Sequence, residues 1–190
     1  MQHSIFALEI CAPVEPCRGM HRDLQQIVKR QATANGFQQK WQIYRDAAAA
    51  LHANVAHFVK GCWDFFDDDA RALRDFEMWT NGMLTEEGSR KAPAGPPDPY
   101  RGEQRYLTFT IALLLIQGTP TERTLAQRCA IPQEHLWRRD VFSHLLEGIA
   151  YVNFASVKGD VMYLLPRDEE WSLTDQDLQA KKFEYLRALG

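Results

Sequence analysis

The longest regular pattern of hydrophobic positions runs through residues 37–62. Apolar or aromatic side chains recur there at alternating intervals of four and three residues, which is a heptad repeat. The pattern predicts one continuous helix of 26 residues. Its stripe either packs against the other helices of the chain, which is the more common role, or forms a dimer seam or partner groove. The candidate dimer or partner surface consists of Phe37, Trp41, Tyr44, Leu51, Val55 and Phe58.

The other N-terminal patterns are also mainly helical. Residues 5–10 form either a short strand or an extended arm, and the apolar spacing of residues 20–34 predicts a helix that ends at Asn35-Gly36. The run Asp67 to Asp69 precedes a further helical pattern. Carboxylates at a helix N-terminus bind free N–H groups and complement the helix dipole, so capping explains this run better than metal binding.

Residues 85–99 contain four of the nine prolines and no large apolar side chain. This composition is typical of a linker. We therefore predict an N-terminal helical region at residues 1–84, a linker at 85–99 and a second region at 100–190.

The second region begins with two helical signals. Residues 103–117 are apolar nearly all round from Tyr106 onward, which predicts a buried helix. Thr119, Pro120 and Glu122 then fit the N-cap, the first turn and the capping box of a short helix.

Three more elements complete the second region. Residues 132–149 predict a longer helix that begins at a proline, and residues 151–165 predict a β-hairpin with its turn at Lys158-Gly159. Residues 174–189 predict a last helix, since Thr174 and the carboxylate three positions later form a capping-box pattern.

This order of elements resembles the winged helix-turn-helix superfamily over about residues 103–165. Ala126 is small where two helices would cross, Ala130 takes the turn position, and Ile131 and Leu136 take the apolar positions that hold the second helix on the first. The predicted fold is therefore mainly α, with an N-terminal helical region followed by a winged helix-turn-helix domain that carries a β-hairpin wing.

The resemblance implies a DNA-binding surface. The first turns of the second helix would face the major groove, the hairpin tip would contact phosphates or the minor groove, and the preceding helix would contact the backbone. The candidate nucleic-acid-binding residues are Gln133, His135, Arg138, Arg139, Lys158, Arg123 and Arg128.

The charge balance keeps a second interpretation open. The chain has 22 basic and 25 acidic residues, a net charge of −3, which excludes a strongly cationic coat. Residues 119–150 contain four arginines and four acidic residues, so these arginines either contact DNA or pair with those acids. We predict a dimeric, DNA-associated regulatory protein, with a non-enzymatic subunit of a multiprotein assembly as the alternative.

Other chemistry finds little support in the sequence. No nucleotide-binding loop, nucleophile elbow or metal-ligand spacing occurs, so we expect no enzyme activity, no cofactor and no metal site. The aliphatic run of residues 111–116 is too short to span a membrane, and no signal-peptide pattern is present. We expect a cytoplasmic protein, in which Cys11, Cys17, Cys62 and Cys129 are reduced thiols, with a Cys11–Cys17 disulfide as the less favoured alternative.

Overall fold

The structure is a computed structural model that describes residues 2–85, 103–165 and 173–190. Its fold is mixed α/β, built on a five-stranded antiparallel sheet, so the mainly α prediction is wrong. The strands are β1 (His3–Pro13), β2 (Lys60–Phe66), β3 (Tyr106–Ile116), β4 (Val157–Leu165) and β5 (Arg187–Ala188). The helices are α1 (Arg18–Gln31), α2 (Phe37–His52), α3 (Asp69–Thr85), α4 (Pro120–Arg128), α5 (Arg139–Ile149) and α6 (Asp175–Leu178).

The first strand lies at the centre of the sheet. The spatial order is β4-β3-β1-β2-β5, and every neighbouring pair is antiparallel. In β1, Ile5 lies opposite Phe66 of β2 on one side and Leu114 of β3 on the other. Strands β2 and β3 therefore run in the same direction on either side of β1, and α3, which lies between them in sequence, packs on one face of the sheet.

The two faces of the sheet are covered by different layers. Even-numbered side chains of β1, such as Phe6 and Leu8, belong to the large core with α1, α2, α4 and α5. Odd-numbered side chains face the other way, where Ile5 packs near α3 and Cys11 packs against residues 173–189, the C-terminal segment. Period-two alternation along one central strand thus produces a three-layer arrangement.

The predicted buried helix at residues 103–117 is strand β3. Thr108, Phe109 and Ile111 are buried because helices or the C-terminal segment cover both faces of the sheet. A strand that is buried on both faces has no polar side, so its sequence shows no period of two and is easily confused with a buried helix.

The prediction of a winged helix-turn-helix is also wrong for the residues that follow α4. The region predicted as one helix from residue 132 contains a 3-10 turn at Gln133–His135, and α5 begins only at Arg139. Lys158 and Gly159 lie inside the single strand β4, so the hairpin turn predicted at these two residues is wrong. The start of α4 is confirmed, since the Thr119 hydroxyl accepts a hydrogen bond from the Glu122 N–H.

The predicted 26-residue helix at 37–62 ends after 16 residues, at His52. The Asn54 side chain donates to the Ala50 carbonyl at 2.9 Å, and Cys62 already lies on β2. The predicted helix at 174–189 is likewise limited to α6, although the capping box between Thr174 and Asp177 is confirmed.

The remaining N-terminal elements agree better with the sequence. The strand at residues 5–10 is confirmed and extends over His3–Pro13, and helices α1 and α3 lie where their patterns predict them. The predicted linker lies outside the described residues except for Thr85. Strands from both sides of that stretch pair in the one sheet, because β1 is the direct neighbour of β3.

Candidate functional site

The arginines predicted to bind DNA are held by the chain itself. The Arg138 guanidinium donates to both carboxylate oxygens of Asp140, at 3.0 and 2.7 Å. Arg139 donates through Nε to the Phe58 carbonyl at 2.7 Å, and Arg123 donates to the Gly118 carbonyl at 2.6 Å.

The remaining predicted DNA contacts do not form one surface. Arg128 donates to the His144 carbonyl at 2.6 Å. Gln133 and His135 are exposed on the 3-10 turn, whereas Lys158 is exposed on β4, at the far edge of the sheet. These residues therefore do not lie together on one helix.

Most of the predicted dimer or partner stripe is core. Tyr44, Leu51 and Phe58 are fully buried, and Trp41 and Val55 are half-buried against the same cluster. Phe37 alone in this set is largely exposed, at 61%. The heptad pattern therefore reports packing within the chain.

One surface cluster resembles a catalytic triad in composition but not in geometry. The Ser143 hydroxyl lies 2.8 Å from Nε2 of His52, and a carboxylate oxygen of Glu147 lies 3.4 Å from that same nitrogen. In a triad the acid binds the ring nitrogen that the nucleophile does not use. Both partners here compete for one nitrogen, so this cluster is an exposed polar contact.

A buried carboxyl group lies at the centre of the sheet. Glu9 is 3% exposed, and its carboxyl group accepts a hydrogen bond from the Tyr185 hydroxyl at 3.0 Å. Burial raises the pKa of Glu9 to about 7, against which hydrogen bonds from Tyr185, Thr110 and Thr108 act. Because solvent and substrate have almost no access, this group affects stability rather than chemistry.

The outer edge of β2 carries backbone groups that face away from β1. Hydrogen bonds at both ends of β1 show which of its residues face β3: the Gln117 N–H donates to the Gln2 carbonyl at 3.0 Å, and the Val14 N–H donates to the Arg105 carbonyl at 2.8 Å. Even-numbered residues of β1 thus face β3, and odd-numbered residues face β2.

The same alternation fixes the orientation of β2. Its even-numbered residues pair with odd-numbered residues of β1, so Gly61, Trp63 and Phe65 direct their N–H and C=O groups away from β1. Strand β5 occupies this side at Gly61, which lies opposite Arg187. Among the described residues, nothing hydrogen-bonds to the outward backbone groups of Trp63 and Phe65.

A cavity of about 300 Å³ lies beside these two residues. The side chains of Trp63 and Phe65 face the layer that contains α4, and the indole N–H of Trp63 donates to the Leu136 carbonyl at 2.9 Å. Besides Asp64, the lining residues are apolar: Trp63, Phe65, Ala126, Cys129, Ala130, Ile131, Leu136 and Trp137. Burial raises the pKa of the Cys129 thiol to about 12, so this thiol stays protonated and contributes an uncharged side chain to the cavity lining.

Asp64 lies between the two outward-facing residues, on the opposite face of the strand. It is half-buried, and burial raises its pKa. The nearest cation, Arg71, donates to Asp75 at 3.3 Å and lies over the Phe66 ring. The structure shows no hydrogen bond or ion pair for the Asp64 carboxylate within its described part.

We define the docking edge as Trp63, Asp64 and Phe65 together with the adjoining cavity. Sequence reasoning placed these residues just beyond the C-terminal end of a long helix, and so missed this feature. The signal was present in the run of residues 60–66, where large aromatic side chains after a glycine favour a strand.

Comparisons with known proteins supply no further assignment. No family model, no curated protein and no solved structure matches the chain. In the described ranges there is no cluster of three or more potential metal ligands, and no helix is both long and apolar enough to cross a membrane. The functional conclusion therefore rests on the geometry of the docking edge.

Proposed function

We propose that this protein is a docking module that binds an extended segment of a partner protein by adding it to the sheet at the docking edge. The observation that carries the proposal is the pair of outward-facing residues Trp63 and Phe65. Their outward backbone groups have no hydrogen-bond partner among the described residues and lie beside a cavity whose lining residues are mostly of apolar type. Main-chain hydrogen bonds supply affinity in such complexes, and pockets for alternate side chains supply specificity.

This side of β2 already accepts an antiparallel strand within the chain. Residues Arg187 and Ala188 of β5 pair with Gly61 and Lys60, and the Leu189 N–H donates to the Val59 carbonyl at 3.1 Å. The pairing stops there because the preceding residues 181–183 form a 3-10 turn. A partner strand would continue the same edge beyond β5.

A second copy of the chain fits the docking edge less well. A symmetric antiparallel pairing centred on Asp64 would place this residue opposite its own copy. Like charges directly opposite each other on neighbouring strands are destabilising. The geometry therefore favours a different protein as the partner.

This proposal agrees with the alternative from the sequence, a non-enzymatic subunit of an assembly, but uses another surface. DNA binding stays an untested prediction whose structural premise, the winged helix, is wrong. Backbone hydrogen bonds contribute about 1 kcal/mol each, so apolar contacts in the cavity must supply much of the affinity.

The test uses a blocked pentapeptide of alternating threonine and valine, with threonine at the centre, titrated into the full chain and followed by amide NMR spectra. We expect chemical-shift changes centred on Trp63 and Phe65. N-methylation of a valine that pairs with either residue removes a hydrogen bond and should weaken binding about tenfold.

The matched control is N-methylation of the central threonine, whose N–H points away from β2 in the same complex. Strand addition predicts that this peptide binds like the parent. Equal weakening by both methyl groups, or shifts located away from β2, would overturn the proposal. So would the absence of any shift at millimolar peptide.

A further inference from the structure

We infer that the partner segment carries a basic side chain opposite Asp64, between two apolar side chains that face the cavity. The inference rests on the proposed function, because it assigns the chemistry of the segment that would occupy the docking edge. It specifies a recognition pattern of three residues, apolar-basic-apolar.

The apolar positions follow from the pairing geometry. Residues directly opposite each other on neighbouring strands place their side chains on the same face of the sheet. Partner residues opposite Trp63 and Phe65 would therefore point toward the layer that contains the cavity. Apart from Asp64, the residues that line the cavity have apolar side chains, although backbone groups also line it, and such side chains favour aliphatic or aromatic partners.

The basic position follows from the missing partner of Asp64. This carboxylate is half-buried and has no hydrogen bond or ion pair among the described residues, which is costly for a charged group. Arg71 reduces the cost only at a distance, since its guanidinium is engaged by Asp75. A cation on the partner, held at the central position, would complete the pair.

The surrounding charge points in the same direction. Residues 64–75 contain five aspartates against two arginines. One of the five, Asp69, is engaged with His3 at 2.8 Å, and Asp68 accepts from the Arg71 N–H at the start of α3. The face of the sheet that an incoming central side chain would meet is therefore acidic, and it attracts a cation before contact.

The test compares three pentapeptides that differ only at the central residue, which is lysine, threonine or glutamate. We expect the lysine peptide to bind about fivefold more tightly than the threonine peptide, and the glutamate peptide to bind more weakly than both. The differences in affinity among the three peptides should become smaller as salt is raised from low to moderate concentration, because the ion pair is partly exposed.

Two variants locate the effect. Asp64→Asn removes the charge and should reduce the ratio of lysine to glutamate affinities toward one. Asp67→Asn makes the same charge change three residues away on an exposed side chain, and should leave the ratio as it is in the unmodified chain.

The outcomes separate this inference from the proposed function. If all three peptides bind equally through Trp63 and Phe65, the docking edge stands and the basic position is wrong. If the lysine preference survives in Asp64→Asn, or is lost in Asp67→Asn, the cation binds elsewhere and the inference is overturned. If no peptide binds at millimolar concentration, the proposed function itself fails.

Discussion

The two edges of the sheet differ in how their backbone groups are protected. The edge strand β4 carries Lys158 and Asp160, and a register shift between Leu114 and Leu115 interrupts its pairing with β3. Charged residues and irregular pairing are common devices that prevent an edge strand from binding another strand. On β2, β5 instead covers one end of the outer edge, and at the other end the outward backbone groups have no partner within the described part of the chain and lie beside a cavity.

Asp160 makes the contrast sharper. Its side chain is 6% exposed, forms an ion pair with Lys40 and accepts from the Tyr44 hydroxyl at 3.1 Å. A strand docking on β4 would have to disturb this buried contact with α2. On β2, by contrast, the outward backbone groups without a partner among the described residues adjoin a cavity.

The largest expected effect concerns the central strand that both edges share. The pKa of Glu9 is raised from 4.5 to about 7 by burial, so between these values the native state keeps a proton that the unfolded chain loses. The contribution of Glu9 to stability is therefore greatest at low pH and falls as pH rises through 7, by about 3 kcal/mol in all. Urea unfolding at pH 5 and pH 8 measures the fall.

Glu9→Gln should abolish most of this pH dependence. Hydrogen exchange compares the two edges of the sheet. Tyr185, which donates to Glu9, belongs to the C-terminal segment, so ionisation of Glu9 should affect the β2 side more than the β4 side. At pH 8 we expect faster exchange in β5 than in β4. Equal loss of protection at both edges would contradict the asymmetry.

The next prediction compares the loss of stability when one glycine on each edge strand is replaced by alanine. A Cβ atom at Gly61 would lie 2.5 Å from the buried ring of Phe142 and 3.1 Å from the Glu9 carbonyl oxygen. Gly61→Ala should therefore lower the free energy of unfolding by about 3 kcal/mol. Thermal and urea unfolding of the purified variant measure this loss.

Gly159→Ala on β4 is the matched substitution. Its Cβ atom would meet the ring of Phe76 at 2.8 Å, and Phe76 is only half-buried and has room to move. We expect a smaller loss, about 1 kcal/mol. A larger loss at Gly159 than at Gly61 would show that the β4 edge is the more tightly packed of the two.

Asp160→Ala tests the protection of β4 directly. The substitution leaves the buried Tyr44 hydroxyl without its acceptor and Lys40 without its counterion, which costs about 2 kcal/mol. Urea unfolding measures the loss, and size-exclusion chromatography reports whether the unprotected edge self-associates. Unchanged stability would mean that the contact with α2 contributes nothing.

Lys158→Thr should have the smallest effect. Lys158 is exposed and makes no ion pair in the described part of the chain, so stability should change by less than about 0.5 kcal/mol. The variant should stay monodisperse in light scattering if the buried Asp160 suffices to protect β4. Aggregation of Lys158→Thr alone would assign that protection to the exposed lysine.

The sequence predicts the local features of this fold well. The caps at Thr119 and Thr174 and the start of α3 near Asp69 are formed by residues within four positions of each other. Such interactions need no knowledge of the tertiary structure. The prediction of a winged helix failed where the identity of an element depends on distant neighbours, above all at β3.

The docking edge could not be predicted for the same reason. An edge exists only once the strand order is known, and that order joins β1 to a strand about a hundred residues later. The sequence around Trp63 and Phe65 indicates aromatic side chains but not which backbone groups stay unpaired. These backbone groups are left unpaired because the pairing with β5 ends at Gly61.

The central position of β1 also has a consequence during synthesis. Pro13 pairs with Tyr106 and His3 with Ile116, so this apolar strand has no partner on its β3 side until at least 93 residues after its end have been made. At about 5–20 residues per second, the interval is roughly 5–19 s. A nascent chain of this protein therefore carries this buried strand for seconds without the neighbour that pairs with it along its whole length.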